Sequence, residues 1–167
     1  LNGQPLHADL ERALGRPVRL ANDANCFALS EATYGAAAGA PVVFGAIVGT
    51  GTGGGVVVDG RVLTGRNGIG GEWGHNPLPW PDATERPGPE CYCSRRGCIE
   101  LFLSGPGLRR DHRERTGADL PAEDIVARAA AGEVACEEAL RRWLAAAVAP
   151  APPAAPRRWR RPPRGRS

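Results

Sequence analysis

Cys91, Cys93 and Cys98 fall within eight positions of a 167-residue chain that has only two other cysteines. Three thiols this close are ligands for a metal ion, a redox pair or free thiols on a loop. Left without a metal they would be exposed and oxidisable, which favours the metal reading. Zinc takes four ligands in a tetrahedron, and His75, upstream in the same irregular stretch, completes a Cys3His set of the closed, structural kind. His7 lies in an N-terminal helical pattern and His112 beyond the cluster, so both are weaker by position. A closed site has no coordination position left for a substrate. Its expected work is to fold the loop and shape a neighbouring pocket, with Gly97 giving the backbone freedom that turns the last sulfur inward.

Residues 49–55, GTGTGGG, follow a buried-type apolar run and offer backbone N–H groups with no side chains in the way, as a close approach to phosphate oxygens requires. Alone this is a weak signal. It fits neither GxxxxGK[ST] nor a GxGxxG that opens a helix, because VVVDG continues as strand, and a Gly-rich hairpin is the plainer reading. Asn22-Asp23-Ala24-Asn25 likewise reads first as a helix cap. A carboxylate at a strand-to-helix junction also suits phosphoryl transfer, which needs a base within hydrogen-bond reach of the attacking hydroxyl.

These groups need elements to hold them. Leu6, Leu10 and Leu14 recur every four residues ahead of Gly15, which predicts a short amphipathic helix with a glycine stop. RPVRLAN reads as a brief strand ending at Asn22-Asp23, and FALSEATYGAA as a helix after it. VVFGAIVG, residues 42–49, is a buried-type strand. GGVVVDGRVL, residues 54–63, predicts two more strands around an Asp59-Gly60 hairpin turn. Residues 64–90 are rich in Gly and Pro and read as a long functional loop. Helical patterns return in IELFLSGPGL, AEDIVARAAAG and EVACEEALRRWLAAAV. The fold class expected is α/β.

Gly-Glu-Trp-Gly-His (71–75) followed by Cys-Tyr-Cys-Ser-Arg-Arg-Gly-Cys-Ile-Glu (91–100) resembles the paired signature of the ROK family of sugar kinases and repressors, E-x-G-H then C-x-C-G-x-x-G-C-x-E. Ser94 stands where the family pattern has Gly. The resemblance implies a partial actin-like ATPase (ribonuclease H-like) fold with a zinc-binding loop. Residues 1–40 would end a smaller N-terminal lobe, and residues 41–148 would form part of a larger lobe carrying the phosphate and zinc loops. It makes Asp23 the general base, and Asn22, Asp23, Glu72, His75 and Glu100 the sugar ligands, with His75 shared between sugar and Zn2+. Gly49, Thr50, Gly51, Thr52, Gly53 and Gly54 become a phosphate loop, and His75, Cys91, Cys93 and Cys98 the zinc ligands. The implied reaction is ATP- and Mg2+-dependent phosphorylation of a hexose. NDANCFALSEA and GEWGHNPLPW point to fructose, at its 6-hydroxyl, ahead of N-acetylglucosamine or glucose. A sugar-sensing repressor of the same family is the alternative, and a homodimer is the implied assembly.

The family's D-x-G-x-T phosphate loop and late Gly-rich adenosine motif are not found, so the chain is expected to be a fragment of weak or no activity. The net charge of +3 conceals six Arg in residues 149–167, which leaves −3 for residues 1–148. That balance gives the body no nucleic-acid footprint. The Arg/Pro tail is expected to be disordered and to reflect a frameshift in GC-rich coding sequence. With no apolar run of about 18 residues and no signal-peptide pattern, a cytoplasmic location is expected.

Overall fold

The computed structural model describes residues 4–147. The expectations for the Arg/Pro tail therefore lie outside the described residues. Helix α1 (Leu6–Leu14) ends at Gly15, whose φ of 62° forms a left-handed cap. Its leucine face buries no residue. The strand expected in RPVRLAN, residues 16–22, is not formed. Those residues fold back on α1 instead, with Val18 N–H donating to Glu11 and Val18 C=O 2.6 Å from His7 Nε2. Among the described residues no strand runs beside them, and an extended segment without a ladder is not a strand.

Helix α2 (Asp23–Tyr34) begins four residues earlier than its apolar pattern suggests, because Asn22 caps it and accepts from Asn25 N–H. Its inner face is Ala24, Asn25 and Ala28. The small side chains let the helix lie close on an antiparallel sheet of β1 (Val42–Val48), β2 (Thr52–Val58) and β3 (Arg61–Val62), in the order β1-β2-β3. Asp59 and Gly60 both have positive φ, 47° and 71°, as the type I′ hairpin turn demands.

The closeness of helix and sheet rests on Gly55. A Cβ there would lie 2.6 Å from Ala24 O and 2.9 Å from Asn25 Cα, both backbone atoms that no rotamer change can move. Gly55→Ala is therefore expected to cost about 1–3 kcal/mol by overpacking, read as a lower denaturant midpoint at unchanged m-value. An unchanged midpoint would show that the helix can lift off the sheet without loss.

Beyond the long loop, the chain forms α3 (Ile99–Phe102), α4 (Gly105–Thr116), α5 (Ala122–Ala130) and α6 (Val134–Ala147). IELFLSGPGL is not one helix. It breaks at Ser104, whose hydroxyl accepts from Gly107 N–H and caps α4, with Pro106 in the first turn. Three small apolar clusters result. Ala28, Val43 and Val57 lie between α2 and the sheet, Leu78, Ile99 and Leu103 lie under the loop, and Leu108, Ile125, Ala129, Cys136 and Ala139 join the helices. Trp143 packs against the last two clusters and donates to Ser104 O, tying the helical layer to the loop.

Candidate active site and metal centre

The start of α2 and the β1–β2 turn face each other across a cleft of about 380 Å³ lined by Asn22, Asp23, Ala24, Ile47, Gly49, Thr50, Gly51, Thr52, Gly53 and Glu72. Asp23 is the first residue of α2, and its Oδ1 accepts from Ala24 N–H at 2.9 Å. Asn22 does two jobs. Its Oδ1 caps the helix at 3.0 Å from Asn25 N, as the cap reading expects, and its Nδ2 donates to Glu72 Oε1 at 3.4 Å.

The glycine loop is held from behind. Glu100 Oε2 accepts from Thr52 N–H at 2.9 Å, Thr52 Oγ1 donates to Leu103 O at 2.6 Å, and Trp73 Nε1 donates to Gly53 O at 2.6 Å. Gly105 N–H adds a bond to Gly49 O at 2.8 Å. Thr52 thus spends both its N–H and its hydroxyl inside the protein, and it mounts the loop. Gly51 allows Glu100 in, since a Cβ there would sit 2.7 Å from Glu100 Oε2. Gly54 lies further into β2, against the Phe44 ring rather than in the cleft.

The metal candidates converge. One ligand atom from each of His75, Cys91, Cys93 and Cys98 lies within 4.8 Å of the others. Cys93 Sγ and Cys98 Sγ are 3.6 Å apart, and Cys91 Sγ is 3.4 Å from His75 Nδ1. Tetrahedral Zn2+, with Zn–S about 2.3 Å and Zn–N about 2.0 Å, puts neighbouring ligands roughly 3.5–3.8 Å apart, so the donor set fits that ion. Burial, then hydrogen bonds from Cys93 and Cys91 and the charges of those thiols, push Cys98 up to about 12. A bare trio of thiols therefore resists full ionisation, and a divalent cation supplies the compensating charge. Backbone bonds fix the cysteine loop to the histidine segment: Leu78 N–H to Gly97 O, Ile99 N–H to Asn76 O and Glu100 N–H to Gly74 O, at 2.8–2.9 Å.

Ser94 takes a left-handed conformation, which glycine adopts most readily, at a φ of 69°. A left-handed conformation costs an ordinary residue about 1–2 kcal/mol, of which glycine's greater unfolded-state freedom would return roughly half. Ser94→Gly is thus expected to stabilise the loop by about 0.5–1 kcal/mol, measured as a rise in the melting temperature of the metal-loaded protein. A fall would mean that the serine side chain contributes more than its backbone costs.

Tyr92 was not anticipated from the sequence. Its ring stands edge-on to His75, centroids 4.8 Å apart, with its hydroxyl 2.7 Å from Nε2. Burial raises its phenol first, and the Glu100 carboxylate adds to the shift. The only sequence signal was an aromatic between two metal-ligating cysteines, which fixes the backbone but not where the ring turns. His75 therefore presents Nδ1 to the cysteines and Nε2 to the phenol, two nitrogens with separate neighbours.

A model of the ROK family matches residues 1–151. The chain belongs to the ROK family. Among its relatives is the N-acetyl-D-glucosamine kinase of Yersinia pestis bv. Antiqua (strain Nepal516), 49% identical over 136 residues, covering 78% of this chain and 53% of that one. Among solved structures, a ROK family glucokinase from Streptomyces griseus in complex with glucose and AMPPNP superposes with a TM-score of 0.75 at 28% identity, covering 87% of this chain and 50% of that one. A ROK family transcriptional regulator, a homologue of the E. coli MLC protein, superposes with a TM-score of 0.67 at 31% identity, covering 86% and 38%. The fold is the α/β, actin-like ATPase fold expected of the ROK family. The chain spans about half the length of the curated relatives it matches. No helix among the described residues is long and apolar enough to cross a membrane.

Proposed function

We propose that this chain carries the sugar-binding part of an ATP-dependent hexose kinase, with N-acetyl-D-glucosamine as the sugar and Asp23 as the general base. The cleft carries this reading, because it brings Asp23, Asn22 and Glu72 opposite a glycine loop that has no bulky side chains to keep phosphate away. Carboxylates accept from sugar hydroxyls and an amide both donates and accepts, so Asn22, Asp23, Glu72 and Glu100 suit a small ligand rich in hydroxyls. His75 would add a ring nitrogen once Tyr92 yields it, while its other nitrogen serves Zn2+. ATP with Mg2+, when bound, supplies an electrophilic phosphoryl group. Asp23 takes the proton of the attacking hydroxyl, the Asn22–Glu72 pair orients the sugar, and the turn at Thr50 and Gly51, closed by the Gly49 N–H bond to Gly51 O, receives the phosphates.

Fructose, expected from NPLPW, gives way to N-acetyl-D-glucosamine. Support comes from curated relatives named N-acetyl-D-glucosamine kinase, one 49% identical over 136 residues and another, in Vibrio vulnificus (strain YJ016), 43% identical over 147. The motif NPLPW lies at a bend beside the zinc ligands and does not separate the two sugars. Calorimetric titration of the metal-loaded chain with N-acetyl-D-glucosamine, glucose and fructose tests the choice, paired with an assay for ADP release. Binding of N-acetyl-D-glucosamine at least about tenfold tighter than fructose is expected, a difference of about 1.4 kcal/mol. Tighter fructose binding would reverse the substrate, and no sugar binding by a folded, metal-loaded chain would remove the reading. The likeness to a regulator keeps one other reading in play. Sugar binding without any ADP release in a protein holding the whole family fold would favour it.

A further inference from the structure

We propose that His112, Glu133 and Cys136 form a second metal site, open and of the zinc class, in the helical layer away from the sugar cleft. Each offers one ligand atom, and these lie within 4.8 Å of one another. His112 in α4 is 1% exposed, and its Nδ1 lies 3.0 Å from Ala118 O and 3.3 Å from Thr116 Oγ1. A carbonyl only accepts, so Nδ1 carries the proton and Nε2 presents its lone pair to Cys136 Sγ, 3.6 Å away. Pinning one ring nitrogen with a carbonyl is how proteins fix a metal-binding imidazole.

The spacing agrees. A tetrahedral ion with Zn–S of about 2.3 Å and Zn–N of about 2.0–2.1 Å holds its sulfur and nitrogen about 3.6 Å apart. Glu133 immediately precedes α6, its C=O accepts from Cys136 N–H at 3.0 Å, and its side chain reaches the Cys136 thiol. Cys136 is fully buried, whereas the Glu133 side chain is 45% exposed and leaves a way in from solvent. Three ligands leave a fourth position for water, unlike the closed Cys3His loop. The Glu133 carboxylate is within hydrogen-bond reach of the Cys136 thiol and also makes a 3.7 Å exposed pair with Arg128, worth little in water. Loading replaces the thiol proton with the cation and releases that proton to solvent.

The test is zinc titration of the chelator-stripped chain against a chromophoric competitor, with cobalt as a spectroscopic substitute. Two equivalents are expected. Glu133→Gln, on the exposed side of the site, should weaken one of them by about 10–100-fold and leave the other unchanged. A Cys91→Ser/Cys93→Ser chain that remains folded should keep one equivalent and show a thiolate-to-cobalt band that is lost on adding Cys136→Ala. A single equivalent in the unaltered chain, or a second one indifferent to Glu133→Gln, overturns the proposal and leaves a buried S–H···N hydrogen bond. Loss of sugar binding would not bear on it, since no residue of this trio lines the cleft.

Discussion

Asp23→Asn is expected to slow phosphoryl transfer to the sugar by about 100- to 10,000-fold while sugar affinity changes by less than about threefold. The substitution keeps the shape of the side chain. Its amide oxygen can still accept from Ala24 N–H, the bond that holds the carboxylate at the head of α2. Asn22 remains the cap, so the helix should neither fray nor shift. What disappears is the acceptor for the hydroxyl proton, a group needed only as the reaction proceeds. The measurement is kcat and KM by coupled ADP release with the substitution placed in a protein holding the whole family fold, beside calorimetric sugar affinity. A residual rate above about a tenth of normal would show that Asp23 is only a helix residue and that the base lies elsewhere.

The second large effect concerns the cysteine loop. Cys98→Ser, or removal of the metal by a chelator, should release the loop and weaken sugar binding by at least about 100-fold, because structural zinc contributes folding free energy directly. Cys98 is 1% exposed, faces Pro77 in a bridge and precedes Glu100 by two residues. When it lets go, the bonds from Leu78, Ile99 and Glu100 to the opposite segment lose their fixed end. Glu100 then loses its aim at the glycine loop. The metal competes with protons for thiolates, so its affinity should fall as pH falls, by roughly tenfold per unit for each proton displaced. Metal content by mass spectrometry and sugar titration at two pH values read both effects. Full sugar affinity in a metal-free, folded chain would separate the loop from the pocket.

Much of this arrangement was legible in the residues. The three cysteines and His75 named their own geometry, because ligand type and spacing constrain a tetrahedron tightly. The hairpin at Asp59-Gly60 was equally plain, since two positive φ values in succession need that pair. Helix α4 was harder to see past Leu108. Its sequence from there on, RRDHRERT, has no apolar period, and the helix buries Gly107, Leu108 and His112. Its ion pairs hold the other faces, with Asp111 reaching Arg142 of α6 at 2.8 Å and Arg115 at 2.9 Å. The strand expected at residues 16–22 failed for the opposite reason. An alternating segment looks the same whether or not a neighbour exists to pair with it, and pairing is a property of the fold rather than of the segment. The hexose was out of reach too, because hydroxyl ligands common to several sugars fix the class and leave the isomer to loop shape.

Glu100 lies behind the cleft, between the glycine loop and Tyr92. One carboxylate oxygen receives the Thr52 N–H of the glycine loop, and the same side chain lies against Tyr92 and, through it, His75. On the proposed kinase reading, a sugar that draws on Glu100 would alter the firmness of the glycine loop. Thermodynamic reciprocity would then make nucleotide change the affinity for sugar by the same factor as sugar changes the affinity for nucleotide. Shortening this one carboxylate, Glu100→Asp, would set both occupants free of each other's influence, so that neither dissociation constant depends on whether the other site is filled.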